Sequence, residues 1–224
     1  MRPNANKAKY AILCIWIVLV LEVVMFVSSY MQYDFLKTAQ SGAPITPEAA
    51  DLNDIREGIV GALYLIVFIT SAVFFLRWFK TAYHNIRQKT PDIRYSEGWT
   101  IGGWCIPIVN LIVPYQIMKE IYTQTRVFLI TRECEIGRTL TLRYVGWWWA
   151  FWVIGLCLSQ GIFRLGMKAE TVPELITVAC MSMVDSIVGI PRALLTIKVI
   201  KDYSRIEPVL QQIDNQPPAI PSLA

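Results

Sequence analysis

The chain has 224 residues, of which 54% are hydrophobic and 17% charged, and its formal net charge is +4. Soluble domains carry about 25% charged residues, and here the apolar residues are collected in long blocks, which indicates a membrane protein. The small net charge and the lack of a basic run argue against nucleic-acid binding. The five cysteines are scattered, so neither a disulfide framework nor a metal site is predicted, and no cofactor is expected.

The first two apolar blocks predict two transmembrane helices. Residues 11–31 form a block interrupted only by Glu22. This block is longer than the core of a signal peptide, which has about 7–15 residues, and therefore predicts an uncleaved first helix. Residues 59–79 form the second block. The acidic segment 32–58 is the predicted external loop, in which Thr46 is a suitable N-cap for a following helix.

Two further blocks predict the last two transmembrane helices. Residues 144–166 contain four of the eight tryptophans. The run Trp147–Trp149 is expected to mark a membrane surface, because the indole ring favours the interface between water and lipid. Residues 173–200 form the last block, which Pro191 is predicted to kink.

The segment 99–118, WTIGGWCIPIVNLIVPYQIM, has no charge but carries Pro107 and Pro114. Each proline removes a backbone donor and disfavours helical geometry at the preceding residue. Two half-helices are therefore predicted, over 99–106 and 108–118. Unpaired backbone groups are costly in hydrocarbon, which favours a re-entrant or interfacial segment over a complete crossing.

The distribution of Lys and Arg distinguishes these two topologies. With four crossings, seventeen basic residues lie inside and four outside, whereas with five crossings the numbers are ten and eleven. Because cytoplasmic loops collect Lys and Arg, the charges favour four crossings with both termini cytoplasmic. The predicted fold is an all-α polytopic membrane helix bundle, with four transmembrane helices and a proline-broken re-entrant segment. Five crossings are the alternative.

A single helical membrane domain is predicted over residues 1–207. Residues 119–136 mix charged and apolar positions and predict an amphipathic helix that continues from the broken segment and ends near Gly137. Residues 208–224 are rich in proline and are predicted to be a disordered tail.

The candidate binding residues are polar groups in or beside the apolar blocks, because burying a charge in lipid is costly and often functional. Asp185 and Arg192 are seven residues apart and share one helix face. A structural ion pair between them is favoured over a role in a proton or solute path. Glu22 and Asn110 are the other candidates within apolar segments. The broken segment adds Trp99, Tyr115 and Gln116.

The region from about residue 75 to residue 125 resembles a known family. The first shared feature is a basic and aromatic helix end, here with Trp78, Tyr83 and Asn85. The second is a Gly-Trp pair, here Gly98-Trp99, and the third is the run Pro-Ile-x-Asn-Leu-x-x-Pro-Tyr-Gln over residues 107–116. These features are similar to those of the bacterial DUF4328 membrane proteins, a domain of unknown function. The resemblance implies a multi-pass protein of the bacterial cytoplasmic (inner) membrane, and it implies no activity.

Three functions are consistent with the sequence. The GxSxG, HExxH, Walker and GxGxxG patterns do not occur, and the single histidine, His84, has no predicted catalytic partner. A non-enzymatic scaffolding or sensing membrane module is therefore the leading interpretation. The alternatives are a small oligomeric transporter or channel that uses the broken helix and the intramembrane carboxylates, and a lipid-modifying membrane enzyme. The expected partners are the lipid bilayer and further copies of the chain or other membrane proteins, with no nucleic acid.

Overall fold

The computed structural model describes residues 1–214, which form helices and no strand. Four of these helices are long and apolar enough to cross a membrane, so the predicted all-α bundle with four spans is confirmed. In chain order the helices are α1 (Ala5–Gln40), α2 (Pro47–Arg87), α3 (Trp99–Cys105), α4 (Pro107–Asn110), α5 (Val113–Thr131), a 3-10 helix (Glu135–Thr139), α6 (Leu142–Gly166) and α7 (Val172–Asp214).

The long helices extend beyond the predicted spans. Helix α1 has 36 residues and is about 54 Å long, whereas the hydrocarbon core of a bilayer is about 30 Å thick. The predicted loop over residues 32–58 is therefore reduced to a turn over 41–46. The Thr46 side chain accepts a hydrogen bond from the Ala49 N–H at 3.2 Å, which confirms the predicted N-cap of α2.

The N-terminal segment and the last turns of α7 lie at the same end of the bundle. Asn4 donates a hydrogen bond to Glu207 of α7 at 3.1 Å, and Asn85, near the end of α2, donates to the same oxygen at 2.7 Å. We call this end of the bundle the termini end.

Helix α6 begins toward the termini end and runs antiparallel to α7. Trp148, near its start, donates to Thr196 at 3.1 Å, whereas Gly166, at its last position, lies beside Val178. Because α2 finishes and α6 begins toward the same end, the segment between them starts and finishes at the termini end.

The broken segment consists of α3, α4 and α5, with a bend of 113° between α3 and the helices that follow. Pro107 and Pro114 each lie in the first turn of a helix, where the missing N–H would have had no intrahelical partner. The predicted half-helix over 108–118 is therefore wrong in its bounds. A short helix ends at Asn110, and a second one, α5, continues to Thr131.

Two contacts hold the broken segment together. The Trp149 indole N–H donates to the Leu111 carbonyl oxygen at 3.1 Å and so satisfies a backbone group at the break between α4 and α5. A Cβ atom on Gly103 would lie 2.8 Å from Val113 Cγ1. Glycine at this position therefore allows α3 to fold closely against the start of α5.

Two predicted boundaries are wrong. Helix α5 ends at Thr131 rather than at residue 136, and Gly137 lies within the 3-10 helix, where a Cβ atom would come within 2.8 Å of the Leu129 Cβ. Helix α7 continues through Pro208 to Asp214, so residues 208–214 are not disordered. Burial of the nearby Ile206 and Leu210 offsets the one backbone hydrogen bond that the proline removes. The predicted tail from 215 to 224 lies outside the described residues.

The most completely buried side chains form a layer near the termini end, to which α2, α5, α6 and α7 all contribute. We call this layer the termini-end core, and its largest fully buried members are Trp78, Trp148, Tyr83, Tyr122, Tyr203 and Phe79. The hydroxyl of Tyr203 donates to the Ala82 carbonyl oxygen at 3.3 Å, so this ring packs its apolar body and also satisfies its polar end. By contrast, α1 and α2 expose many large apolar side chains further along their length, as expected of surfaces that face lipid.

Candidate functional site

Three polar side chains from three helices meet inside the bundle, and we call them the polar cluster: Glu22 of α1, Tyr64 of α2 and Arg192 of α7. The Arg192 Nη2 lies 2.9 Å from Glu22 Oε1, and the Tyr64 hydroxyl donates to the same oxygen at 2.7 Å. Arg192 Nη2 also donates to the Tyr64 hydroxyl oxygen at 3.4 Å. Glu22 is 2% exposed and the Arg192 side chain 12%.

The polar cluster keeps two opposite charges together within the apolar part of the bundle. Glu22 lies at the middle of the apolar block 11–31, so its expected depth is the middle of the hydrocarbon core. An isolated carboxylate there would cost several kcal/mol. The guanidinium and the phenol offset that cost, because both donate hydrogen bonds to the carboxylate.

Two glycines make room for the polar cluster. A Cβ atom on Gly189 of α7 would overlap the Glu22 carboxyl group, and a Cβ atom on Gly155 of α6 would overlap the Arg192 guanidinium. The backbones of α7 and α6 therefore lie against the two charged groups, and any larger residue would push these groups out of place.

Gly189→Ala is expected to lower the free energy of unfolding by about 1–3 kcal/mol, because the added methyl group must displace Glu22 from its partners. Gly146→Ala on α6 is the control: its Cβ has no neighbour within 4 Å, and alanine is the better helix former by up to about 1 kcal/mol. Unfolding of both purified variants in mixed micelles measures the difference. A Gly189→Ala protein as stable as the control would contradict the tight contact.

The predicted ion pair between Asp185 and Arg192 is wrong, because a different carboxylate pairs with Arg192. Among the described residues Arg192 pairs with Glu22, 170 positions away, whereas Asp185 accepts a hydrogen bond from Ser159 of α6 at 3.5 Å. Seven residues of helix separate Asp185 from Arg192 by about 10 Å along the axis, so a partner at the same level on a neighbouring helix lies closer. The Asp185 Oδ1 is buried without a hydrogen-bond partner.

A cavity of about 160 Å³ adjoins the polar cluster. Glu22 and Arg192 line part of it, and aromatic rings form much of the remaining wall: Phe68, Phe75, Trp104 and Trp152. Trp104 belongs to α3, so the broken segment supplies part of this wall. A cavity of this size accommodates a benzene-sized apolar group or a few water molecules, and the ion pair offers hydrogen-bonding groups to either.

The other four candidates belong to the broken segment, and no described contact joins them to the polar cluster. Tyr115 stacks on a tryptophan of α6 with the ring centroids 6.2 Å apart, and Gln116 accepts a hydrogen bond from the Tyr95 hydroxyl. Trp99 is partly exposed. The Asn110 side-chain oxygen is buried without a hydrogen-bond partner. Tyr115 and Gln116 thus position the broken segment.

A second buried polar group, which we call the terminal clamp, consists of Arg2, Asn4, Asn85 and Glu207. Asn85, which is fully buried, donates to Glu207 Oε1 at 2.7 Å and to the Arg2 carbonyl oxygen at 2.9 Å, and it accepts from the Arg2 N–H at 2.8 Å. Asn4 donates to the same Glu207 oxygen at 3.1 Å. The terminal clamp holds the N-terminal segment against the ends of α2 and α7. Asn85, one of the residues that carry the family resemblance, therefore has a structural role.

His84 contacts Glu97 from the loop before α3 and also lies 3.1 Å from the Gln88 side-chain nitrogen. The hydrogen bond from His84 lowers the pKa of the Glu97 carboxyl below its ordinary value. The single histidine therefore anchors the connection from α2 to α3. Within residues 1–214, no group of three or more His, Cys, Asp or Glu side chains is arranged to hold a metal ion.

The stabilisation that Glu97 provides is expected to disappear in acid. The pKa of this carboxyl is lower in the folded protein than in the unfolded chain, where it is about 4.3. Its contribution is therefore fully present above the unfolded-state pKa and is lost as the pH falls through the folded-state pKa. Unfolding of the wild type and of Glu97→Gln between about pH 3 and pH 7 measures this effect. A difference that grows toward low pH would contradict it.

The sequence analysis gave no role to Tyr64 of the polar cluster, to the two glycines that make room for it, or to Glu207 of the terminal clamp. Tyr64 gave a weak signal, since it is the only tyrosine in the apolar block 59–79. Gly189 lies three positions before Arg192, but only the structure shows what lies opposite it. Gly155 and Glu207 gave no signal, because their partners come from distant parts of the chain.

The comparisons with known proteins place the chain in a family. The family model described as "Domain of unknown function (DUF4328)" matches residues 41–205, which is most of the chain. The match extends well beyond the region of residues 75–125 that carries the resemblance in the sequence, and α1 lies outside it. No curated protein and no solved structure matches the chain. This helical membrane protein belongs to the DUF4328 family.

Proposed function

We propose that this protein is a non-enzymatic sensing or scaffolding module of the bacterial inner membrane. In this proposal both termini face the cytoplasm, and segment 99–118 is re-entrant from that side. The module senses the state of the cavity beside the polar cluster and transmits it to α5, on the cytoplasmic side.

The observation that carries the proposal is a series of aromatic contacts that leads from the cavity to α5. Trp104, in the cavity wall, packs edge to face against Trp152 and Trp149, with centroid distances of 5.3 and 6.1 Å. Trp149 stacks on Tyr115 of α5 at 6.2 Å. In this proposal a change in the volume or hydration of the cavity reaches α5 through these rings, because a close-packed interior has little free volume to absorb a displacement.

A test of the proposed coupling compares amide hydrogen exchange over residues 113–131 in the wild type and in Trp104→Ala. We expect faster exchange in the variant, because α5 loses its aromatic support. Trp16→Ala on α1 is the matched control, since that ring is exposed on the surface of the bundle. If exchange over α5 is the same in all three proteins, the cavity and α5 are not coupled and the sensing role fails.

A transporter or channel is the second candidate, favoured by the presence of Glu22, Asp185 and Arg192 in one apolar region. Against it, the termini-end core lies between the polar cluster and the termini end, and its largest side chains are fully buried. We therefore expect proteoliposomes to show no proton or cation flux above that of empty liposomes. A flux that is present in the wild type and lost in both Glu22→Gln and Asp185→Asn would establish the transporter instead.

A further inference from the structure

A groove of about 550 Å³ opens on the outer surface of the bundle between α6 and α7. Its polar part is formed by two cations, Arg143 and Lys198, and two interfacial aromatic residues, Tyr144 and Trp147. Its apolar part is formed by Phe151 and Leu194, about one helical turn away. Because the groove is lined by adjacent turns of both helices, it joins a charged region to an apolar one.

The two cations of the groove are available to a ligand. The Arg143 side chain is exposed, and within the described part of the chain it has no hydrogen bond or ion pair. Lys198 lies 2.7 Å from Asp202 and 4.9 Å from the centre of the Tyr144 ring, and its side chain remains 46% exposed. Asp202 offsets the charge of Lys198, and the charge of Arg143 leaves the groove with a net positive charge.

The position of the groove matches the boundary between headgroups and hydrocarbon. Trp147 is 56% exposed, whereas the neighbouring Trp148 and Trp149 are buried, and an outward-facing indole favours the interface between water and lipid. Phe151 and Leu194 lie one turn further toward the middle of their predicted spans. A molecule in the groove thus meets positive charge and indole at one end and apolar side chains at the other.

We infer that this groove binds an anionic phospholipid. The phosphate contacts Arg143 and Lys198, and an acyl chain lies against Phe151 and Leu194. Charge complementarity favours an anionic headgroup, and the adjoining apolar surface favours a ligand with a chain over a free anion. The site is separate from the cavity beside the polar cluster, and it does not depend on the sensing role.

Native mass spectrometry of the full chain in detergent tests the inference. The probes are phosphatidylglycerol and phosphatidylcholine with identical acyl chains, and glycerol phosphate as the free headgroup. We expect phosphatidylglycerol to bind more tightly than phosphatidylcholine, and the double variant Arg143→Gln/Lys198→Gln to weaken its binding by about twenty-five-fold, since each basic residue near an anionic surface contributes roughly fivefold. Lys201→Gln, which removes an exposed cation from α7 outside the groove, is the matched control and should bind like the wild type.

A further variant separates loss of the site from loss of folding. Arg143→Lys/Lys198→Arg preserves both charges and should retain the preference for phosphatidylglycerol. Equal binding of the two lipids, or equal weakening by the groove variant and by Lys201→Gln, would overturn the inference. So would glycerol phosphate displacing the lipid at comparable concentrations, because the ligand would then be a free phosphate rather than a lipid.

Discussion

Replacing Arg192 by methionine is expected to lower the free energy of unfolding by about 3–5 kcal/mol, because the change leaves Glu22 buried without its cation. Arg192 is the charge partner of this carboxylate at 2.9 Å, and the only other described hydrogen bond to the carboxylate comes from Tyr64. Reversible unfolding in mixed micelles of a mild detergent and SDS measures the loss.

A double-mutant cycle shows whether the loss belongs to the ion pair. Glu22→Gln combined with Arg192→Met should be less destabilising than the sum of the two single changes, since no uncompensated charge remains. Asp185→Asn is the matched control. It also removes a carboxylate charge, but this carboxylate is half-buried, its described hydrogen bond is the 3.5 Å one from Ser159, and its attraction to Arg192 acts without a direct ion pair, so the change should cost about 1 kcal/mol. Additive effects in the cycle would contradict the pairing of Glu22 with Arg192.

Asn85→Leu is expected to lower the free energy of unfolding by about 3 kcal/mol. The side chain forms three hydrogen bonds in the terminal clamp, and its removal leaves the Glu207 carboxylate, which is 3% exposed, with Asn4 as its remaining described donor. Hydrogen bonds to a buried charged group contribute about 1.5–3 kcal/mol, more than neutral ones do. Hydrogen exchange should also become faster over the first turn of α1, because that segment loses its anchor.

Asn6→Leu is the control for the terminal clamp. It replaces an exposed amide of the same helix end and should change stability by no more than about 0.5 kcal/mol. Glu207→Leu introduced into the Asn85→Leu protein should recover part of the lost stability, because it removes the unpaired carboxylate. If both asparagine variants are equally stable, the terminal clamp does not hold the N-terminal segment.

The parts of the fold that could be predicted from the sequence depend on local patterns. The apolar blocks of about twenty residues locate all four long helices, because the hydrocarbon core requires that length. Pro107 and Pro114 locate the break, since proline is favoured in the first turn of a helix and disfavours helical geometry at the residue before it. Thr46 likewise identifies the start of α2 from its own side chain.

The parts that could not be predicted depend on contacts between distant residues. Arg192 pairs with Glu22 at a separation of 170 positions rather than with Asp185, seven positions away, because neighbouring helices place side chains closer than two turns of one helix do. In the same way, Asn85 and Glu207 are 122 positions apart. Helix α7 continues past Pro208 because its apolar face is buried against other helices, which the composition of that segment does not reveal.

We propose that the segment between α2 and α6 returns to the membrane face where the N-terminal segment and the last turns of α7 lie. The most direct test of this proposal uses a membrane-impermeant maleimide on single-cysteine proteins that retain Cys134, or that lack all native cysteines and carry Lys201→Cys or Gln40→Cys. We predict that Cys134 and the cysteine at position 201 react only in inverted vesicles, whereas the cysteine at position 40 reacts in intact cells. Labelling of Cys134 and position 201 from opposite faces would show that the segment crosses the membrane.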